Sequence, residues 1–264
     1  MHDFDFQNAR FLFTDVDDTL TTDGQLRPET YSALWRLADA GIVIVPVTGG
    51  CAGWCDQIIR TWPVRAVIGE GGSFYFSRSA NGSVDCRYWV DHESHQADRL
   101  AIIKAIGSLD PDLNITLAKD HHFRLVDVAI DYNQDCRLPE SQVHRIMQAL
   151  LDHGFRVKKS SIHINVAQGT FDKCAMTRRM AAELFNLSAE ELKARSVFIG
   201  DAPNDESMFA FFPQSVGVAN IQPHLEYLES RPAHVTEGRC GSGFVELADQ
   251  WLASITPPEP VRPD

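Results

Sequence analysis

Short apolar runs alternate with amphipathic segments near the start of the chain. The apolar runs are typical of strands buried on both faces, and they cover Phe11–Thr14, Ile42–Val47 and Val64–Ile68. Pro28–Ala40 predicts a helix between the first two runs, because proline lies in its first turn, apolar residues recur at helical spacing and Gly41 follows. A second helix is predicted to end near Thr61. This strand–helix order predicts a parallel sheet with helices on both faces.

The same rhythm returns in the last third of the chain. Asp172–Phe185 predicts a helix, and Ser188 with Glu191 predicts a capping box for a short helix after it. The later segments predict a strand, a helix, two more strands and a final helix, at Val197–Gly200, Glu206–Phe212, Val216–Ala219, His234–Thr236 and a stretch through Trp251.

The middle of the chain has a different texture. Helix-like and strand-like runs are mixed there without the βα alternation of the two ends, which predicts an inserted α+β domain. We therefore predict an α/β core built from residues 1–76 and 169–256, with an inserted second domain at 77–168. The proline-rich end, 257–264, is predicted to be a flexible tail.

Composition and charge narrow the classes of function. The chain is 44% hydrophobic and carries a net charge of −12, so neither nucleic acid nor an anionic membrane is expected as its main partner. No apolar run approaches the roughly 18 residues of a membrane span, and MHDFDFQNAR lacks the features of a secretory signal. The six cysteines are scattered without CxxC spacing, so we expect a protein of the reducing cytoplasm.

Polar clusters follow the ends of the predicted strands. DVDDTL puts three carboxylates into four residues, although like charges a few ångströms apart repel by roughly 1 kcal/mol in water and about 4 kcal/mol near a protein surface. Ligands bind at the carboxyl ends of parallel strands, so polar groups from distant segments are predicted to meet there. These groups are Asp15, Asp17, Thr48, Lys173, Asp201, Asn204 and Asp205.

Four short motifs resemble those of the haloacid dehalogenase (HAD) superfamily. They are FLFTDVDDTLT with the DxDxT pattern, Thr48 in PVTGG, Lys173 in TFDKCAM, and VFIGDAPND with the GDxxND pattern. The resemblance implies a Rossmann-like core. The stretch between Thr48 and Lys173 is long, whereas that between Asp15 and Thr48 is short, so the α+β cap is expected between the second and third motifs. That position is the one of subclass IIB, which includes Cof-like, sucrose-phosphate and mannosyl-phosphoglycerate phosphatases.

Two positions depart from the patterns of related enzymes. The second motif reads TGG where TGR is common, which questions substrate binding more than chemistry. GEGGSFYF resembles the ENGA stretch of the subclass, with Gly71 in place of Asn. This change is read either as an altered hinge or hydroxyl contact, or as neutral drift.

The resemblance implies phosphoryl transfer to and from an aspartate. Asp15 would be the nucleophile that forms an aspartyl-phosphate, and Asp17 would act as general acid and then as general base. Mg²⁺ would be held by Asp15, the backbone carbonyl of Asp17 and Asp201, with Asp205 in or just outside its ligand shell.

Other motif residues would bind the phosphoryl group. Thr48 and the amide of Gly49 would contact its oxygens, and Lys173 would offset the negative charge. Asn204 would help to position the phosphoryl group or a metal ligand. In the cap, Arg124 and His163 are among the candidates for contacts with the rest of the substrate.

These expectations favour a Mg²⁺-dependent phosphomonoester hydrolase acting on a small phosphorylated metabolite such as a sugar phosphate. A phosphosugar mutase and a non-catalytic sensor of a phosphometabolite are the alternatives. We expect a monomer or homodimer without nucleic acid or membrane partners.

Overall fold

The computed structural model describes residue 1 and residues 4–255. Its strands are β1 (Phe11–Thr14), β2 (Thr21–Thr22), β3 (Gln25–Leu26), β4 (Val43–Pro46), β5 (Ala66–Gly69), β6 (Phe74–Arg78), β7 (Val84–Tyr88), β8 (Val128–Asp131), β9 (Arg156–Lys159), β10 (His163–Ala167), β11 (Ser196–Gly200), β12 (Ser215–Gly217) and β13 (His234–Val235). Its α-helices are α1 (Pro28–Asp39), α2 (Ala52–Thr61), α3 (His92–Ser108), α4 (Glu140–Asp152), α5 (Lys173–Phe185), α6 (Ala189–Ala194), α7 (Glu206–Phe211) and α8 (Cys240–Ile255). The predicted tail, 257–264, lies outside the described residues.

A five-stranded parallel sheet forms the centre of the core. Its order is β13-β12-β11-β1-β4, and every neighbouring pair is parallel. β1 is paired on both sides, with Leu12 opposite Val197 of β11 and Ile44 of β4. The predicted parallel α/β core is therefore confirmed.

The central strands are buried on both faces, as their apolar runs predict. Side chains alternate across a strand, so Leu12 and Phe13 of β1 enter two different apolar clusters. The Leu12 cluster packs beneath α1, α2 and α8, whereas the Phe13 cluster packs beneath α5, α6 and α7. The sheet thus separates two helical layers, and the loops at its carboxyl edge stay free to build a site.

An antiparallel sheet of β5, β6 and β7 extends the core beside β4. β5 pairs with β6 and β6 with β7, while Val47 and Ile68 form a parallel bridge toward β4. Phe74, Phe76 and Tyr88 pack in the Leu12 cluster. The division into core and cap remains a prediction, and this packing leads us to propose its first boundary after Tyr88 rather than at 77.

The inserted segment has an apolar core of its own. β8, β10 and β9 form an antiparallel sheet in that order, covered by α3 and α4. Ile102, Ile130, Ile146 and Ile164 are all buried in its separate cluster. This arrangement is the α+β module expected for the cap. Among the helices described here, none is both long and apolar enough to cross a membrane.

Candidate active site

Three carboxylates meet where β1 and β11 end. Asp15 and Asp201 directly follow these neighbouring strands, and the Asp15 N–H donates to the Ile199 carbonyl over 2.9 Å. One carboxylate oxygen each from Asp15, Asp201 and Asp205 lies within 4.8 Å of the other two, and all three residues are buried. The parallel register explains how residues far apart in sequence form one cluster.

The cluster fits a hard divalent cation. Burial raises the pKa of Asp15, and burial together with the Asp15 and Asp205 charges raises the pKa of Asp201. Carboxylate oxygens are the ligands that Mg²⁺ prefers, and a cation would relieve this repulsion. The carboxylate of Asp17 is not part of the cluster. The expected metal ligation through the Asp17 backbone carbonyl remains a prediction.

Lys173 is the buried cation beside these carboxylates. It begins α5, whose N-cap Asp172 accepts a hydrogen bond from the Ala175 N–H over 2.7 Å. Its Nζ donates to Asp15 Oδ1 over 2.7 Å and to Asp205 Oδ1 over 2.6 Å. Burial works to lower the pKa of Lys173, but the two carboxylates outweigh it and raise that pKa. Lys173 and Asp15, both predicted to lie at this edge of the sheet, are in direct contact.

Asp205 also closes the loop that follows β11. Its Oδ2 accepts hydrogen bonds from the Asp201 N–H over 3.1 Å and the Ala202 N–H over 3.3 Å. A Cβ at Gly200 would lie 2.4 Å from the same oxygen, so only glycine allows this approach. Burial raises the pKa of Asp205 to about 6, while Lys173 acts to lower it. The GD-x-x-ND pattern therefore has a local structural reason as well as a chemical one.

The loop after β4 is fixed from both the core and the cap. Thr48 Oγ1 accepts a hydrogen bond from the Gly50 N–H over 2.8 Å, and the Thr48 N–H donates to the Ile68 carbonyl over 2.9 Å. The Gly49 carbonyl accepts hydrogen bonds from Arg124 Nη1 over 3.1 Å and Asn165 Nδ2 over 3.4 Å. Two cap side chains thus hold the carbonyl of the residue whose N–H was predicted to contact phosphoryl oxygens.

The guanidinium of Arg124 is held by protein groups and is not free to bind an anion. Its buried guanidinium donates to both oxygens of Asp120 over 2.9 and 2.7 Å and to Asp127 Oδ1 over 2.8 Å, besides the Gly49 carbonyl. These bonds use most of its donors. The contacts weigh against the predicted direct role in substrate binding and favour a role in joining cap to core, which no single-sequence pattern could reveal.

Glu70 is a buried residue whose importance the sequence reasoning missed. Oε1 accepts hydrogen bonds from the N–H groups of Ala52 and Leu125 over 3.0 and 2.9 Å. Oε2 accepts from those of Val126 and Asp127 over 2.7 and 2.9 Å. Burial and then the Asp127 charge raise the pKa of Glu70 to about 7, whereas Arg124 acts to lower it. One core carboxylate therefore binds three consecutive amides of the cap.

The sequence feature that could have pointed to this contact is the GEGG turn. Glu70 has φ 43° and Gly71 has φ 65°, and both lie in the left-handed region. Asn tolerates that region as well, so glycine at Gly71 in place of Asn leaves the backbone path intact. At Gly72, φ is 101° and a Cβ would lie 2.2 Å from the Asp172 carbonyl oxygen. The turn packs against the start of α5 and requires glycine there.

Two cavities flank the Gly49 loop between core and cap. One, of about 280 Å³, is lined by Lys173, Asn204 and Asn165 among others, and Asn204 Oδ1 is buried there without a partner among the described residues. The other, of about 680 Å³, is lined by Asp17 on the core side and by cap residues including His163. Asn204 and Asp17 therefore face space that a substrate can fill.

The surroundings of Asp17 favour its protonated form more than water does. Burial, and next the neighbouring Asp18, raises the pKa of Asp17 to about 6, against the lowering influence of Lys173. Asp15 and Asp17 are two residues apart in the chain yet differ in surroundings, since of the two only Asp15 contacts Lys173. Such a contrast suits one nucleophilic carboxylate and one acid.

Known structures share this architecture over most of the chain. The sucrose-phosphatase of Synechocystis, solved with sucrose and phosphate, has a TM-score of 0.67 at 15% identity and covers 93% of this chain and 98% of its own. A protein of Plasmodium vivax described as a HAD/COF-like hydrolase has a TM-score of 0.68 at 15% identity, covering 95% and 97%. The fold is therefore that of the haloacid dehalogenase superfamily, as the four motifs predict.

A relative that is similar in sequence is also a phosphatase by name. The phosphoglycolate phosphatase of Pyrobaculum neutrophilum is 27% identical over 254 residues, which cover 93% of this chain and 96% of the relative. No model of a known protein family matches the chain. The names of these relatives support the prediction of a HAD-type phosphatase.

Proposed function

We propose that this protein is a Mg²⁺-dependent phosphomonoester hydrolase that works through an aspartyl-phosphate intermediate. The observation that carries the proposal is the buried cluster of Asp15, Asp201, Asp205 and Lys173 at the carboxyl edge of the sheet, with Asp17 lining the adjoining cavity. The carboxylates of this cluster suit a cation, and the Lys173 ammonium suits an anion such as a phosphoryl group. The cavity gives a phosphate ester room beside the cluster.

In the proposed mechanism, Asp15 attacks phosphorus and the bond between phosphorus and the leaving oxygen breaks. Asp17 gives its proton to that oxygen, so the alcohol leaves neutral. Asp17, now ionised, takes a proton from a water molecule that attacks the aspartyl-phosphate. The second step releases inorganic phosphate and restores both carboxyl groups.

The surrounding residues position the phosphoryl group and balance its charge. Lys173 would hold Asp15 and a phosphoryl oxygen, and Thr48 with the Gly49 N–H would contact other oxygens. Asn204 has a buried oxygen free to accept a hydrogen bond. Mg²⁺ held by the carboxylate cluster would supply positive charge at the reacting phosphoryl oxygens.

The proposed substrate is a small phosphorylated metabolite, with a sugar phosphate favoured. The cavity beside Asp17 is about 680 Å³, within the range of ligand sites for compounds of sugar size and larger. Among the similar proteins, one is a sucrose-phosphatase and another a phosphoglycolate phosphatase by name. The cytoplasmic location, the monomer or homodimer and the lack of nucleic acid or membrane partners stay predictions.

Phosphate release from a panel of phosphate esters tests the proposal. Release should require Mg²⁺, stop when a chelator is added, and be lost in Asp15→Asn and Asp17→Asn. Asp39→Asn is the matched control, because Asp39 is an exposed aspartate at the end of α1 and does not line the cavity. Its activity should stay within a few-fold of the wild type. Release that survives Asp15→Asn would reject the nucleophile.

The same panel separates the two alternatives. A phosphosugar mutase would convert one sugar phosphate into its isomer without releasing phosphate. A sensor would bind a phosphometabolite but neither release nor move its phosphoryl group.

A further inference from the structure

The cavity beside Asp17 is the place for the alcohol that the proposed reaction releases. A general acid must lie within hydrogen-bond reach of the leaving oxygen, and Asp17 lines the 680 Å³ cavity rather than the smaller one. The cap forms the opposite wall, through residues that include His163, Ser160 and Ile162. Cap residues of this wall therefore meet the part of the substrate that distinguishes one ester from another.

His163 stands out on that wall because its imidazole lacks partners. It begins β10 and is only 4% exposed, and its Nε2 is buried without a hydrogen bond. Across residue 1 and residues 4–255, no group forms a side-chain hydrogen bond with it. Leaving a buried polar atom unpaired is costly, so a ligand group that hydrogen-bonds it binds more favourably.

The imidazole of His163 is electrically neutral in these surroundings. Burial, and then the positive charge of Arg124, lowers the pKa of His163, while Asp120, Asp131 and Asp127 act in the other direction. A neutral imidazole has one N–H donor and one bare nitrogen acceptor. In either tautomer Nε2 can form one hydrogen bond with an alcohol hydroxyl, because a hydroxyl can both donate and accept.

The charges around the cavity disfavour an acidic leaving group. Four carboxylate residues line it against two arginines, of which buried Arg124 is paired with Asp120 and Asp127 and exposed Arg137 hydrogen-bonds Asn133 through Nη1. The acidic residues are Asp17, Asp18, Asp23 and Asp120, and the arginines are Arg124 and Arg137. A substrate carboxylate would meet net negative charge there, and a two-carbon acid would leave most of the volume unfilled.

We propose that His163 is a specificity-determining residue that hydrogen-bonds a hydroxyl of the leaving group, and that the enzyme prefers phosphate esters of neutral polyols to phosphoglycolate. This inference rests on the proposed phosphatase function. It deepens that function by assigning the recognition of the alcohol to one cap residue.

Kinetics with His163→Phe and His163→Gln test the role of the imidazole. Phenylalanine keeps a ring without hydrogen-bonding atoms, and glutamine restores a donor and an acceptor. With glucose 6-phosphate, His163→Phe should lower kcat/KM roughly tenfold to a hundredfold, with partial recovery in His163→Gln. With p-nitrophenyl phosphate, which has no alcohol hydroxyl, both variants should match the wild type. His153→Phe, an exposed cap histidine, is the matched control.

Two kinetic outcomes overturn the inference. An equal loss on glucose 6-phosphate and p-nitrophenyl phosphate would make His163 a structural residue only. A wild type that prefers phosphoglycolate to every polyol phosphate in the panel would reject the substrate class.

A binding measurement separates this inference from the proposed function. The ¹⁵N signals of the His163 ring should shift on titration with glucose 6-phosphate and Mg²⁺ but not with inorganic phosphate and Mg²⁺. If no ester is hydrolysed but the shift occurs, the phosphatase proposal fails and the hydroxyl site stands. If the signals do not shift for any of the sugar phosphates, the hydroxyl site is rejected.

Discussion

Replacing Glu70 with glutamine tests whether one core carboxylate holds the cap. In the wild type each oxygen of Glu70 accepts two backbone N–H groups. Glutamine keeps one acceptor oxygen and turns the other position into an NH₂ group, which then faces two N–H donors. Two hydrogen bonds are lost and two buried N–H groups lose their acceptor.

The magnitude follows from the number of bonds. A hydrogen bond to a charged group contributes about 1.5 to 3 kcal/mol, so the loss of two should cost roughly 3 to 6 kcal/mol. Three of the four N–H groups belong to the consecutive cap residues Leu125, Val126 and Asp127. The loss should therefore appear first as local opening between cap and core.

Hydrogen exchange measured residue by residue is the assay. In Glu70→Gln, the amides of Leu125, Val126 and Asp127 should exchange at least a hundredfold faster, since every 1.4 kcal/mol is tenfold in an equilibrium constant. Amides of β1 should change less. Glu237→Gln, at an exposed glutamate, is the matched control. Unchanged exchange at 125–127 in Glu70→Gln would refute the reasoning.

Three further predictions follow from the site and the turn beside it. Because burial raises the pKa of Asp17 to about 6, the acid form is lost above that pH. The kcat/KM for glucose 6-phosphate should then fall above pH 6, while that for p-nitrophenyl phosphate, whose leaving group needs no proton, stays flat; equal profiles would contradict the acid role. In urea unfolding, Gly72→Ala should lower the free energy of unfolding by several kcal/mol, because its Cβ would lie 2.2 Å from the Asp172 carbonyl oxygen. Gly24→Ala, with φ 71° and open space around its Cβ, should lower it by only about 1 to 2 kcal/mol. Mg²⁺ at about 100 times its Kd should stabilise the wild type by roughly 2.7 kcal/mol in thermal unfolding, and equal stabilisation of Asp201→Asn would argue against the carboxylate site.

The central sheet and the cluster of carboxylates were predictable because they depend on local signals. The apolar run before Asp15 fixes a buried strand, and parallel pairing with β11 fixes where Asp201 must lie. Spacing between the motifs likewise predicted the inserted module. These features need only periodicity and the rule that parallel strands end at one edge.

The contacts between cap and core were not predictable from one sequence. Arg124 was predicted to contact the substrate, because one sequence does not show that its guanidinium reaches the Gly49 carbonyl while Asp120 and Asp127 occupy its other donors. No role was predicted for Glu70, because the amides that it binds lie far along the chain. The predicted cap boundary at 77 falls within β6 and leaves β7 in the cap, since alternation predicts a strand but not the sheet that the strand joins.

The chain order has a consequence for biosynthesis. β1 is central, yet its partner β11 follows the entire inserted module. At 5 to 20 residues per second, a ribosome takes roughly 10 to 40 seconds to add the stretch between them. Throughout that interval, one edge of β1 is unpaired, and unpaired edges invite aggregation. The carboxylates of the proposed metal site are therefore assembled only after residues 201–205 have been made.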